Sequence, residues 1–290
     1  MSTTLRRTAP TANSSRCAPA GDPARPRLTI RFAGSGSSGN AAALTYGDCC
    51  VLLDCGFGPR TLKQRLASCD VDAAHVQAVL ITHEHSDHVA GLKLFARRPD
   101  VVICATAKTT AALSFGPRAA CERRSVLPGQ TFVVGPFSIT PFAISHDAAD
   151  PVCYRFALPD GTVAAFATDL GYPNAEALAA LGDCDIVGIE TNHDPELLRA
   201  GPYPAFLKQR IRSEVGHLSN QQAVDALAAV AGPRLRQLFL MHLSQTNNRP
   251  ELALAAMRER VDELGLEVGL VALRQDRHHI YPAPEQLALL

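Results

Sequence analysis

From residue 28 onward, short apolar runs alternate with amphipathic stretches. LTIRFA (28–33), AAALTY (41–46) and VLLD (51–54) have the length and apolar character of strands. PRTLKQRLASC (59–69) opens on a proline and carries apolar residues at helical spacing, which predicts a helix. VQAVLI (76–81) reads as a buried strand and VAGLKLFARR (89–98) as a helix, with further strands at 101–104, 131–134 and 137–144. A second series follows. VCYRFAL (152–158), the Asp160-Gly161 turn and TVAAFAT (162–168) predict a hairpin. Helices are expected at 174–182, 203–213, 220–231 and 250–264, and strands at 185–190 and 236–243. Two similar halves, each of strands and then helices, predict two sheets packed face to face with helices outside. No repeat or low-complexity insert interrupts residues 28–290, which read as one domain.

GSGSSG (34–39) satisfies G-x-G-x-x-G and follows a strand. A dinucleotide site needs a helix next, so that its N-terminus can hold the pyrophosphate, whereas AAALTYGD reads as a second strand. The segment is better read as a tight Gly/Ser loop beside a site.

Composition narrows the class. Apolar residues make up 47% and charged residues 19%, an ordinary globular balance. No apolar run approaches the length of about 18 residues that a membrane span requires. The nine cysteines are scattered, without repeated CxxC pairs, which argues against a disulfide framework and fits a reducing cytoplasm. Cys49, Cys50 and Cys55 flank a strand and are read as small buried side chains rather than a thiolate metal site. The formal charge is zero but unevenly spread: residues 1–27 hold Arg6, Arg7, Arg16, Arg25 and Arg27 against Asp22. That tail, rich in Ser, Thr, Ala and Pro, is expected to be disordered, and it lacks the continuous apolar segment of a secretory signal.

The chemistry concentrates in THEHSDHVAGL (82–92), where His83, His85, Asp87 and His88 crowd the point at which an apolar strand ends and a helix begins. Imidazole and carboxylate are ligands for zinc, and for manganese or iron. Six positions cannot complete two metal shells, so partners must come from elsewhere. His146 in SHDAADP, Asp169 in ATDLGYP, His217 in GHLSN and His242 in LMHLSQTNN each place a ligand type at the end of an apolar strand or at a helix start. His75, His278 and His279 carry no comparable context and are assigned no role.

HxHxDH at 83–88, followed by a strand-end His, an Asp and a further His, resembles the metallo-β-lactamase superfamily. SGSSGN, YGD, LLDCGF, THEHSDH, SHDA, ATDLGY, ETNHD, GPYP, LKQRI, GHLSN and HLSQTNN together resemble its YycJ/WalJ-type subgroup, over roughly residues 28–285. The resemblance implies an αβ/βα four-layer sandwich of two mixed sheets flanked by helices, with a di-metal cleft at one edge. It implies two divalent cations, zinc or manganese, with iron also compatible. His83, His85 and His146 would hold one; Asp87, His88 and His242 the other; Asp169 would bridge them. Asp54, in LLDCG, would orient a ligand without touching metal. A hydroxide shared between the paired ions is the expected nucleophile.

The superfamily also contains thioesterases, lactonases, lactamases and nucleases, so the fold leaves the substrate open. Glu190 in ETNHD and His217 resemble the Glu and the non-metal His of tRNA-3′-processing and related nucleases. His217 would then contact the scissile phosphate or protonate the leaving oxygen, since an alkoxide leaves poorly, and Glu190 would orient it. Asn192 and His193, beside Glu190, read as loop hydrogen-bonding residues. Lys208, Arg210 and Arg212 precede His217 and are candidate phosphate contacts, against the plainer reading of a solvated helix face. No long insertion separates Asp169 from His217, so the extra domain of RNase J-like relatives is absent, and no basic arm suggests a tRNA-gripping exosite. The expectation is a cytoplasmic 5′-to-3′ exonuclease on DNA; a hydrolase of small esters, thioesters or lactones is the alternative.

Overall fold

The computed structural model describes residues 27–283. The expectation of a disordered tail over 1–27 therefore falls, apart from Arg27, outside the described residues. The first sheet begins with β1 (Thr29–Gly34), β2 (Ala41–Tyr46), β3 (Cys49–Leu53), β4 (Val76–Leu80), β5 (Val102–Ala105) and β6 (Glu122–Ser125). The second contains β7 (Phe132–Val134), β8 (Phe137–Ala143), β9 (Val152–Ala157), β10 (Val163–Ala167), β11 (Ile186–Glu190), β12 (Gln237–Met241) and β13 (Gly269–Ala272). β14 (His279–Tyr281) returns to the first sheet and pairs antiparallel with β1.

The orders are β14-β1-β2-β3-β4-β5-β6 and β13-β12-β11-β10-β9-β8-β7. In each sheet three antiparallel pairings give way to three parallel ones: at β3–β4 in the first and at β10–β11 in the second. The two halves thus share one plan, with β3, β4, β5 in the place of β10, β11, β12.

Alternation along the strands sets the layers. In β1, Ile30 and Phe32 face the core between the sheets, where they meet Leu44, Leu53, Phe156, Phe166 and Phe239. The other face of the first sheet, with Leu52 and Val79, is covered by the helix Pro59–Ser68 through Leu62 and Leu66. Helices Ala175–Leu181, Asn220–Val230 and Pro250–Glu263 cover the outer face of the second sheet. The expected αβ/βα sandwich of two mixed sheets is the architecture observed. No helix among the described residues is long and apolar enough to cross a membrane.

Several elements differ from the sequence reading. The helix expected at 89–98 is two single turns, Ser86–Val89 and Lys93–Ala96. Between them Gly91 packs against the loop after β3, donating its N–H to the Cys55 carbonyl at 2.7 Å. The helix at 203–213 is confined to Ala205–Ile211, and Pro195–Ala200 forms a further helix. β6, β13 and β14 were not expected: β6 is the polar sequence ERRS at a sheet edge, and the other two are only four and three residues long. His279 packs against Phe32 and Phe239, with ring centroids 6.4 and 5.7 Å away. The described cysteines are free.

Two buried hydrogen bonds tie the sheets at the edge where β4 ends. Tyr154 of β9 is fully buried and donates its hydroxyl to the Ile81 carbonyl at 2.9 Å, while Val152 donates its N–H to the Thr82 carbonyl at 3.1 Å. Tyr154→Phe removes the first and leaves a buried carbonyl short of a donor. Urea unfolding should show a loss of about 1–3 kcal/mol; an unchanged midpoint would show that this link contributes nothing.

Candidate metal centre

The strands end where the polar residues begin. β3 runs into Asp54, β4 into Thr82 and His83, β8 into His146, β10 into Asp169, β11 ends at Glu190, and β12 runs into His242. Asp54, Asp169 and His242 adopt left-handed backbone conformations, with φ of 55°, 56° and 57°. Asp and His are among the non-glycine residues found most often in this region, and each still carries some backbone strain there. The kink turns each side chain from the strand direction into the seam between the sheets.

The Gly/Ser loop after β1 supports the same edge. Ser35 Oγ donates to Asn40 Oδ1 at 3.1 Å and accepts the His242 N–H at 2.9 Å. Asn40 N–H donates to the Asp87 carbonyl at 2.8 Å. Gly56, in the loop after β3, packs so tightly on that carbonyl that a Cβ there would overlap it. The short turn carrying Asp87 and His88 is thereby held from both sides.

Hydrogen bonds fix which nitrogen of each ring is free. Asp54 accepts from Thr82 N–H at 2.9 Å and from the Thr82 hydroxyl at 3.0 Å. That hydroxyl has spent its proton, so at 3.0 Å from His83 Nδ1 it must accept, which leaves Nε2 of His83 without hydrogen. His83 Nε2 is buried with no partner. His88 Nδ1 donates to Asp54 Oδ2 at 2.8 Å, His242 Nδ1 to Glu190 Oε1 at 2.9 Å, and His146 Nδ1 to the Gly216 carbonyl at 3.1 Å. The Nε2 atoms of all three turn to the carboxylates: His88 lies 3.0 Å from Asp169 Oδ2, and His242 lies 3.4 Å from Asp87 Oδ2 and 3.5 Å from Asp169 Oδ1. His146 Nε2 faces His85 Nδ1 at 3.3 Å.

Two groups of ligand atoms result, each within 4.8 Å: His83, His85, His146, and Asp87, His88, Asp169, His242. Asp169 adjoins both, since its Oδ1 is also 3.7 Å from His146 Nε2. A third group, Asp169, Glu190, His217 and His242, overlaps the second. Among the described residues no cysteine joins such a group. Ring nitrogens held toward shared carboxylates, with His83 Nε2 buried and unpartnered, form a donor set that fits divalent metal.

The charges agree. Burial holds His83 and His146 below the usual histidine range. Burial also opposes charge on His88 and His242, but here the carboxylates prevail: Asp169 and Asp54 hold His88 well above its usual range, and Asp169 with Asp87 and Glu190 brings His242 to about 10. Asp87 and Asp169 are pulled down by these same histidines. Without a cation the carboxylates favour protonated rings at His88 and His242, so metal binding there would compete with protons.

Glu190 is fully buried. Its Oε1 accepts from His217 Nδ1 and His242 Nδ1, both at 2.9 Å, and its Oε2 from the N–H groups of Leu170 and Leu218 at 2.8 and 3.0 Å. Burial opposes its charge, but His217 and His242 outweigh that and bring this carboxylate to about 2. His217 precedes a capping box in which Ser219 and Gln222 start the helix Asn220–Val230, so its backbone is fixed as well. Asn192 donates to the His242 carbonyl at 3.0 Å. His193 is buried at one side, and burial lowers it to about 4.

A cleft of some 230 Å³ opens on His85, Asp87, His146, Asp169, His217 and His242, and reaches Tyr203 and Arg210. Arg210 pairs with Asp147 at 2.6 Å. Lys208 does not reach the cleft: its ammonium donates to the Arg199 carbonyl at 2.7 Å. Arg212 is exposed and is not part of the lining. The residues that the sequence alone did not single out are Thr82, Ser35 and Asn40, which orient ligands, and Ser37, Tyr203 and Ser244, which line the cleft. Their only sequence signal was a position inside or next to the conspicuous motifs.

Residues 50–243 match the family model described as a beta-lactamase superfamily domain, and the chain belongs to that superfamily, with a metallo-hydrolase fold. It is 36% identical over 240 residues to exodeoxyribonuclease WalJ of Streptococcus pneumoniae serotype 2 (strain D39), covering 81% of this chain and 89% of that protein. It is 33% identical over 237 residues to exodeoxyribonuclease YycJ of Bacillus anthracis, with the same coverage. Within the superfamily it thus stands in the WalJ/YycJ family. Among solved structures, the metallo-β-lactamase fold protein YhfI from Bacillus subtilis superimposes with a TM-score of 0.67 at 16% identity, over 88% of this chain and 99% of that one.

Two outcomes are expected. Zinc or manganese added to metal-free protein at pH 7 in weak buffer should release protons, because the carboxylates favour protonated His88 and His242 in its absence, and affinity should rise with pH. Asp54→Asn keeps a residue tolerant of the left-handed backbone but weakens the anchor of His88. Competition with a chelator should then show roughly 10–100-fold weaker metal binding with the fold retained. Metal binding without proton release, or an Asp54→Asn variant that binds normally, would contradict these assignments.

Proposed function

We propose that the protein is a metal-dependent exodeoxyribonuclease that removes nucleotides from the 5′ end of DNA in the cytoplasm. The observation that carries this reading is His217. It lines the cleft beside the ligand groups, yet its Nδ1 is committed to Glu190, which leaves Nε2 for a substrate. The names and extensive similarity of the WalJ and YycJ relatives support the substrate class.

In this reading His83, His85 and His146 would hold one cation, Asp87, His88 and His242 would hold a second, and Asp169 would serve both. Zinc or manganese suits the mixed set, and iron is compatible. Bound divalent cations supply Lewis acidity, which activates water and offsets charge on the phosphate. The chain's residues do the rest. Thr82, Asp54 and Glu190 hold the rings in one tautomer and orientation. Arg210 offers a cation at the cleft wall for a phosphate oxygen. His217 protonates the departing sugar oxygen. Burial alone would deprive it of its proton, but Glu190 and Asp169 raise its affinity for one. As an acid with a raised pKa it works below that value, so activity should fall as pH rises through it.

His217→Ala should keep its metal content by elemental analysis while kcat on 5′-labelled DNA falls by about 10²–10⁴-fold. Bis(p-nitrophenyl) phosphate, whose leaving group needs no proton, should be far less affected. Loss of metal in this variant would reassign His217 as a ligand. Incubation of the wild type with DNA, RNA, a thioester and a lactone tests the class: release of 5′-nucleotides that vanishes in Asp87→Asn is expected, and turnover of the thioester or lactone alone would overturn the reading.

A further inference from the structure

A second cavity, of some 310 Å³, adjoins the metal cleft and shares Ser244 with it. This volume lies at the lower end of the range for small-molecule sites, roughly 300–1,000 Å³. Its lining combines apolar Leu243 and Leu273 with the side-chain amides of Gln245 and Gln275 and with Arg249. The Gly/Ser loop runs beside both cavity and cleft. Ser37 lines the cleft, while the next residue, Ser38, donates its N–H to Gln275 Oε1 at 2.9 Å. Gly36 lies so close to Gln275 and the Leu243 carbonyl that a Cβ would be crowded by both.

Two cations, Arg249 and Arg274, and two carboxylates, Glu251 and Asp276, line the cavity. Arg274 pairs with Asp276 at 3.0 Å. Arg249 makes no ion pair among the described residues; one of its terminal nitrogens donates to the Asn248 carbonyl at 2.6 Å. Apolar walls beside amides that can both donate and accept suit a planar heterocycle bearing edge donors and acceptors. An unpaired guanidinium at the same place suits a phosphate. Continuity with the cleft puts such a ligand one residue from the ligand His242.

We propose that this cavity binds one nucleotide of the DNA strand next to the scissile phosphate, its base at the amides of Gln245 and Gln275 and its phosphate at Arg249. The assignment rests on the nuclease reading and gives it a device for gripping the strand by a single nucleotide. Gln245 and Arg249 are exposed, so Gln245→Trp, which fills the cavity, and Arg249→Ala leave the fold intact. Each should raise KM for an oligonucleotide by about tenfold with kcat held within about twofold, the signature of lost binding rather than lost chemistry. Calorimetry with dAMP should show binding to the wild type that weakens to a similar degree in both variants. Inorganic phosphate should bind more weakly than dAMP. Bis(p-nitrophenyl) phosphate, which occupies only the cleft, should be hydrolysed at the wild-type rate. DNA cleavage with KM unchanged in both variants overturns the cavity assignment alone, as does equal loss on the small diester. A wild type that hydrolyses the small diester but no DNA overturns the nuclease reading, and this assignment with it.

Discussion

The carboxylate of Glu190 sits at the centre of the seam with all four hydrogen-bonding positions filled. Two come from backbone N–H groups, those of Leu170 and Leu218, and two from the rings of His217 and His242. One buried anion thereby fixes the loop that carries Asp169, the loop that carries His217, and the tautomer of two histidines. A charge so placed is costly unless every lone pair is used. Removing either ring would leave an oxygen short, and removing the carboxylate would free both rings to rotate. The positions of candidate ligand and candidate acid are in this sense one structural decision.

Asp54 plays the corresponding part on the other sheet. It receives Thr82 by backbone and hydroxyl and His88 by Nδ1, and through Thr82 it sets His83. The two carboxylates stand at strand ends in different sheets, Asp54 after β3 and Glu190 at the end of β11. Each keeps the Nδ1 side of its rings occupied so that Nε2 is left toward the cleft. The strained backbone at His242 is tolerable because Ser35 and Glu190 hold that residue from both ends.

Much of this was legible in the amino-acid sequence for a physical reason. Histidine and aspartate at the end of an apolar strand are expensive choices, so THEHSDH, SHDA, ATDL and LMHL stand out against the patterns around them. The sandwich was legible because long strands bury two faces and long helices one. What escaped were elements with little apolar surface: the edge strand ERRS, the three-residue HIY, and the single turns on either side of Gly91. Orientation escaped too. Lys208 and Arg210 are two residues apart on a short helix, yet one reaches the cleft and the other binds the Arg199 carbonyl. Nothing in residue type distinguishes them. Thr82 and Asn40 look like ordinary strand-end polar residues until the hydrogen bonds of their neighbours are followed.

The matched plan of the two sheets has a mechanical consequence. Asp54, His83, His85, Asp87 and His88 belong to one half of the chain, and His146, Asp169, Glu190, His217 and His242 to the other. The group of His83, His85 and His146 and the group of Asp87, His88, Asp169 and His242 each draw on both halves. A cation lodged there is a cross-link between two half-molecules that otherwise meet through an apolar core, a few buried hydrogen bonds and the strand that β14 lends back. Like a rivet through two plates, it resists their sliding at the edge where the cleft opens. With a cation bound, that edge would be held by coordination as well as by packing, and the seam would be tighter than without it.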